Sequence, residues 1–349
     1  MKNEARKERS AFRVPAPAII FPRISFHSSG LRVLRCCLQF AAITLAIHPL
    51  LASAQKFPSR PLRIICPSPP GGSVDILSRT VGQYLSANLG VPVIVDNRVG
   101  ASGVIGTELL AKSPPDGYTM MMGYSAHATN PIFIKKLPYD TLQDFAGVVH
   151  VGDIPLLLVV HPAVPAHSVR ELIALAKARP GQLQYASGAT GGGPSMAGLL
   201  LNQMAGIDVV QVSYKGNAPA QVDLLGGQVT MMFDTINTSI GFAKAGRLRA
   251  LAVTSLKRSS LAPDLPTMAE AALPGFDVRA WYAVLVPART PRDLVQRLNR
   301  EINKALNDPA IRSRLSADGI ELVGGTPEET DAFIRSEMAR WPKIIKPGV

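Results

Sequence analysis

The chain has 349 residues, a formal net charge of +12, 47% apolar and 6% aromatic residues, and three cysteines. A chain of this length can bury a large core without disulfides. The basic excess contains no Lys/Arg run interleaved with aromatics, which excludes the pattern of a nucleic-acid binder.

Half of that excess lies at the front. Lys2, Arg6, Lys7, Arg9, Arg13, Arg23, Arg32 and Arg35 stand against only Glu4 and Glu8, and an uncharged apolar stretch follows from Cys36 to Leu51. With Ala52 and Ala54 in an Ala-x-Ala site, residues 1–54 read as a cleaved signal peptide of an exported protein, Gln55 being the mature start. His48 and Pro49 make the apolar run a poor membrane span, and Arg35 before the cysteine pair argues against a lipid anchor. Cys36 and Cys37 leave with the leader. Cys66 then stands alone and reads as a small buried apolar residue of a strand.

The mature part alternates strand and helix patterns. Strand Leu62–Cys66 leads through "PSPPGG" into helix Val74–Leu89 and strand Val93–Asp96. A second glycine loop, "GASG", precedes a helix over Val104–Lys112, and Tyr118–Gly123 is a strand followed by "YSAHATNP", a polar loop or helix start. Ala146–His161 reads as two strands or one long one. A second set follows: helix Ser168–Ala178, strand Leu183–Ser187, the loop "GATGGGPS", helix Met196–Ala205 and strand Val209–Val212. Helix Ala218–Leu225, strand Val229–Asp234, a helix near Ile240–Ala245 and strand Leu248–Thr254 continue it. Strand Val278–Val286 is apolar and uninterrupted. The end is helical over Arg292–Asn307, Pro309–Asp318 and Pro327–Ile344, with a short strand at Glu321–Val323.

This alternation predicts an α/β fold. The two long apolar segments near residues 154–161 and 278–286 bracket one βα-rich block, so a second lobe is expected to be inserted into the first, joined by two crossings with a ligand cleft between them. The loop after the first strand has the strand–glycine–helix order that aims free N–H groups at an anion. It is no Walker loop, because Ser73, Val74 and Asp75 follow the glycines where Lys and Ser/Thr are required, and it lacks GxGxxG spacing. No GxSxG elbow occurs, and His127, His150, His161 and His167 show no metal-ligand spacing. No metal and no cofactor are expected.

The blocks "FPSRPLRIICPSPPGGSVDILSRTVGQYLSANLGVPVIVDNRVGASGVIGTELLAKSPPDGYTMMMG", "LPYDTLQDFAGV", "VSYKGNAPAQVDLLGGQVTMMFD" and "GRLRALAVTS" resemble the tripartite tricarboxylate transporter receptors, the Bug-type solute-binding proteins, over Phe57–Trp341. The resemblance implies a type II periplasmic binding protein fold, with lobe 1 over residues 55–157 plus 279–349 and lobe 2 over 158–278. It implies a monomeric periplasmic receptor that captures a mono-, di- or tricarboxylate, aromatic acids included, and delivers it to membrane permease subunits. A sensor passing the closed form to a signalling partner, or a periplasmic enzyme acting on a carboxylate, is the alternative.

In this family the first loop holds one end of the ligand, which assigns that role here to Ser68, Pro70, Gly71, Gly72 and Ser73. Asp75, in the first turn of the following helix, reads as structural. Further candidates are Ser125, His127 and Asn130 after the third strand, and Thr190, Gly191 and Gly192 at a second helix start. Asp234 and Thr235 end a later strand. Lys215 could add a positive charge, though an exposed lysine is ordinarily solvated. Two departures enlarge the expected pocket: Cys66-Pro67-Ser68 replaces the family's V-P-F, and Gly192, Gly193 and Ser195 occupy a stretch that usually carries hydroxyl residues and a histidine.

Overall fold

The computed structural model describes residues 57–345; the expected leader, residues 1–54, lies outside them. Ten strands form one curled mixed sheet in the order β2-β1-β3-β9-β4-β7-β5-β6, with β10 and β8 each paired to β4. The first half is built from β1 (Leu62–Cys66), β2 (Val93–Asn97) and β3 (Thr119–Tyr124) in parallel, and the second from β5 (Gln184–Ser187), β6 (Val210–Ser213) and β7 (Met231–Thr235), also parallel. The helices that follow those strands cover the sheet: α1 (Ser73–Leu89), α2 (Val104–Ala111), α3 (Ala126–Phe133), α4 (Val169–Ala178), α5 (Gly193–Ala205), α6 (Asn217–Leu225) and α7 (Ile236–Lys244).

The ambiguous stretch after residue 145 is a single strand, β4 (Phe145–Val160), and it serves both halves. Its first part pairs antiparallel with β9 (Arg279–Pro287) and β10 (Glu321–Gly324), and Leu156–Val160 pairs with β7 and β8 (Arg249–Val253). Register shifts at Gly147/Val149 and His150/Gly152 are bulges, which increase local twist and turn the strand from one half toward the other. Leu156, Leu157, Leu158, Val159 and Val160 are all buried, as expected of a strand covered on both faces. A short helix α8 (Met268–Ala271), then α9 (Arg292–Asn307), α10 (Pro309–Ala317) and α11 (Pro327–Ile344), completes the chain. No helix among the described residues is long and apolar enough to cross a membrane.

Two helices begin earlier than the periodicity implies. α5 starts at Gly193 with Pro194 in its first turn, where a missing N–H is harmless. α7 starts at Ile236, directly after β7, although Asn237, Thr238 and Ser239 are weak helix formers. Hydrogen bonds from Thr238 and Ser239 to Asp234 hold this first turn in place.

Phe233 on β7 is fully buried and stacks on Phe276 with centroids 6.1 Å apart. Phe233→Ala is expected to cost about 3–5 kcal/mol of unfolding free energy, read from urea denaturation. A loss below about 1 kcal/mol would contradict this placement at the centre of the second half.

Candidate functional site

The loops after β1, β3, β5 and β7 lie at the carboxyl ends of parallel strands, the usual ligand position in open α/β sheets. Contacts between the two halves bring four of them together. Thr129 Oγ1 on α3 donates to the carbonyl of Gly191 at 2.6 Å. Asn237 Nδ2 at the start of α7 donates to Ser73 Oγ at the start of α1 at 3.4 Å. Gly216 fits against Pro69: a Cβ there would lie 2.9 Å from Pro69 Cγ, and its φ of +116° also demands glycine.

The first loop is tied down by Asp75. Its carboxylate accepts from the Gly71 N–H at 3.1 Å, from Asn97 Nδ2 at 2.9 Å, and from Arg79 through Nε and a terminal nitrogen at 2.9 and 3.0 Å. Burial pushes this carboxyl up, but the hydrogen bonds from Arg79, Asn97 and Gly71 and the Arg79 charge outweigh it and hold the group below its ordinary value. Asn97 also donates to the Ser68 carbonyl, fixing the far end of the loop. Gly71 has φ +86°, a turn that only glycine adopts freely. Gly72 caps α1 with extended backbone. Ser73 is buried beside Tyr282, whose hydroxyl burial pushes up while a hydrogen bond to Ser73 opposes that shift. Pro70 and Gly71 are exposed. Cys66 is buried, and burial pushes its thiol up to about 11, which keeps it protonated and unreactive at neutral pH.

After β3, Ser125 Oγ accepts from the Trp281 N–H at 3.2 Å, joining α3 to β9. Asn130 Nδ2 donates to the Ser102 carbonyl at 3.2 Å. That contact braces the second glycine loop, where Ala101 and Ser102 hold φ of 47° and 53°. Such backbone costs on the order of 1–3 kcal/mol per residue and clusters at functional sites. His127 is placed differently. Its ring lies edge-on to Phe145 at 5.1 Å and lines a cavity of about 60 Å³ with Thr141, Asp331 and Arg335, to which no other candidate residue contributes. Burial lowers its pKa to about 4, so the imidazole is neutral at physiological pH.

In the second half, Gly191 has φ +76° and lies against Thr129, and Gly192 caps α5. Thr190 is half-buried in the same turn. Asp234 is fully buried and accepts five hydrogen bonds: from Asn217 and the Thr235 N–H on one oxygen, and from Gln221, Thr238 and Ser239 on the other. Burial pushes its carboxyl up against those bonds. It fastens α6 and α7 to β7, and its acceptor capacity is fully used. Thr235 caps α7, with its hydroxyl 2.9 Å from that of Thr238. Lys215 is exposed. The sequence reading missed Thr129, Asn237, Tyr282 and the strained pair Ala101–Ser102, because each matters through a partner distant in the chain.

The site thus offers amides and hydroxyls, while Asp75 and Asp234 are satisfied within the protein. For Asp75 the sign is fixed by its lowered pKa: its stabilisation is present above the unfolded value near 3.8 and is lost as pH falls through the folded value. Asp75→Asn is therefore expected to lower stability by about 1–3 kcal/mol at pH 7, with the gap from wild type narrowing below pH 3.8. An equal gap at pH 7 and pH 3 in urea titrations would contradict the ionic origin.

Comparison with known proteins places the chain in a family. The model of the tripartite tricarboxylate transporter family receptor matches residues 77–348. BugT of Bordetella pertussis (strain Tohama I) is 40% identical over 296 residues, covering 84% of this chain and 91% of its own. Among solved structures, R. palustris Rpa4515 with adipate is 36% identical at TM-score 0.79, covering 82% of this chain and 97% of its own. The periplasmic binding protein BugD is 31% identical at TM-score 0.77, with coverage of 82% and 97%. The fold is that of the periplasmic solute-binding proteins, and the chain belongs to the tripartite tricarboxylate transporter receptor family.

Proposed function

We propose that this protein is a periplasmic receptor that captures a small organic carboxylate between two lobes and hands it to membrane permease subunits, without transforming it. Lobe 1 comprises residues 55–157 with 279–349, and lobe 2 residues 158–278. Residues 1–54 direct export and are removed. The observation that carries the reading is the meeting of neutral donor loops from both halves, at Thr129–Gly191 and Asn237–Ser73. A relative solved with adipate supports the choice of ligand class.

The acid enters an open cleft and meets the N–H groups of Gly72 and Ser73 at the start of α1, where the helix dipole favours negative charge. Swinging the second lobe inward adds the Thr190–Gly192 turn at the start of α5. The ligand stabilises the closed state by the contacts that exist only there. A carboxylate needs several donors and no fixed cation, which fits a first loop whose neighbouring guanidinium, Arg79, is held by Asp75. The permease reads the closed form, and the receptor works as a monomer.

Mature protein screened by thermal shift against mono-, di- and tricarboxylates and aromatic acids should gain about 2.7 kcal/mol at a ligand concentration of 100 Kd. NMR of the recovered ligand should show it unchanged. Gly72→Val discriminates further, because a Cβ at Gly72 meets only Ser68 Oγ at 3.8 Å and Pro69 O at 4.0 Å, and φ is ordinary. The variant should fold normally and lose at least about tenfold in affinity (~1.4 kcal/mol). Undiminished binding would remove the first loop from the site; a chemically altered ligand would make the protein an enzyme.

A further inference from the structure

Asn237 stands at the second position of α7 and reaches across to the other half, donating through Nδ2 to Ser73 Oγ. Its carbonyl oxygen Oδ1 is buried and has no hydrogen-bond partner among the described residues. An amide oxygen can only accept. A buried acceptor without a donor carries a penalty, which a ligand that brings a donor would remove.

We infer, building on the receptor reading above, that Asn237 Oδ1 selects for a carboxylate carrying a hydroxyl group, donated to this oxygen when the lobes close. A bare carboxylate oxygen would meet Oδ1 as acceptor against acceptor. An ammonium group would donate equally well but would lack a charged partner, because both oxygens of the adjacent Asp234 are already taken by Asn217, the Thr235 N–H, Gln221, Thr238 and Ser239. A hydroxyl supplies the donor without a charge to neutralise. Asn237 is thereby a specificity-determining residue, while the carboxylates are held by the loops already described. A site built around such a buried acceptor discriminates against the analogue lacking the donor, since that analogue leaves the acceptor unpaired.

The test is isothermal titration calorimetry of the mature protein with acids matched in length: succinate against both enantiomers of malate, glutarate against 2-hydroxyglutarate, adipate against 3-hydroxyadipate, and aspartate as the amino counterpart of malate. In each chain length that binds, the hydroxy acid should bind at least about tenfold more tightly (~1.4 kcal/mol), and aspartate should not exceed malate. Asn237→Ala should bring the hydroxy-to-plain ratio close to one, because the buried acceptor is removed together with its penalty. Binding of plain and hydroxy acids with equal affinity, a ratio that survives in Asn237→Ala, or a preference for aspartate would overturn the assignment and leave the receptor reading standing. Binding of no acid at all would overturn both.

Discussion

One strand shared between the two halves of the sheet sets everything else in this molecule. β4 is buried along almost its whole length, and the pairing of its first part with β9 and β10 and of its last part with β7 and β8 fixes both halves to the same backbone. Because the parallel trios β2-β1-β3 and β6-β5-β7 extend from that shared centre, their carboxyl ends deliver loops to a common place. The bulges in β4 give that centre its extra twist. The registers in which β4 pairs with β7 and β9 set where the two trios lie along it.

The chemistry of the meeting place follows from what the protein has already used. Two buried carboxylates, Asp75 and Asp234, organise the first loop and the β7–α7 junction, and each is surrounded by donors from its own half. Arg79, the cation beside the first loop, is committed to Asp75. What remains for a solute is a set of peptide N–H groups, hydroxyls and side-chain amides. Fixed dipoles of this kind can stabilise an anion without a full charge of their own. Two cross-half hydrogen bonds, Thr129 to Gly191 and Asn237 to Ser73, measure how closely the halves approach.

Much of the fold was legible in the sequence, because strands such as Leu62–Cys66 and helices such as Arg292–Asn307 are bounded by proline, glycine or polar residues and carry clear periodicity. The start of α7 was not, since Asn237, Thr238 and Ser239 have weak helix propensity and are held by tertiary bonds to Asp234. In the candidate loops the glycines showed in the sequence, and so did Ser125 and Asn130 at a strand end. The bearing of each side chain did not. His127 and Thr129 are two residues apart on α3, and at about 100° per residue they point to nearly opposite sides; Thr129 meets Gly191 while His127 meets Phe145. Only knowing that the segment is helical, and which face is covered, separates them.

The central claim is that a small acid is enclosed between the loop before α1 and the turn before α5, held by neutral donors from both. A crystal structure of the mature protein with a bound dicarboxylate tests it most directly. The account predicts carboxylate oxygens within hydrogen-bond distance of the Gly72 or Ser73 N–H on one side and of the Thr190–Gly192 turn on the other. An acid seated in the cavity beside His127, or anywhere that leaves both loops without contact to it, would contradict the account.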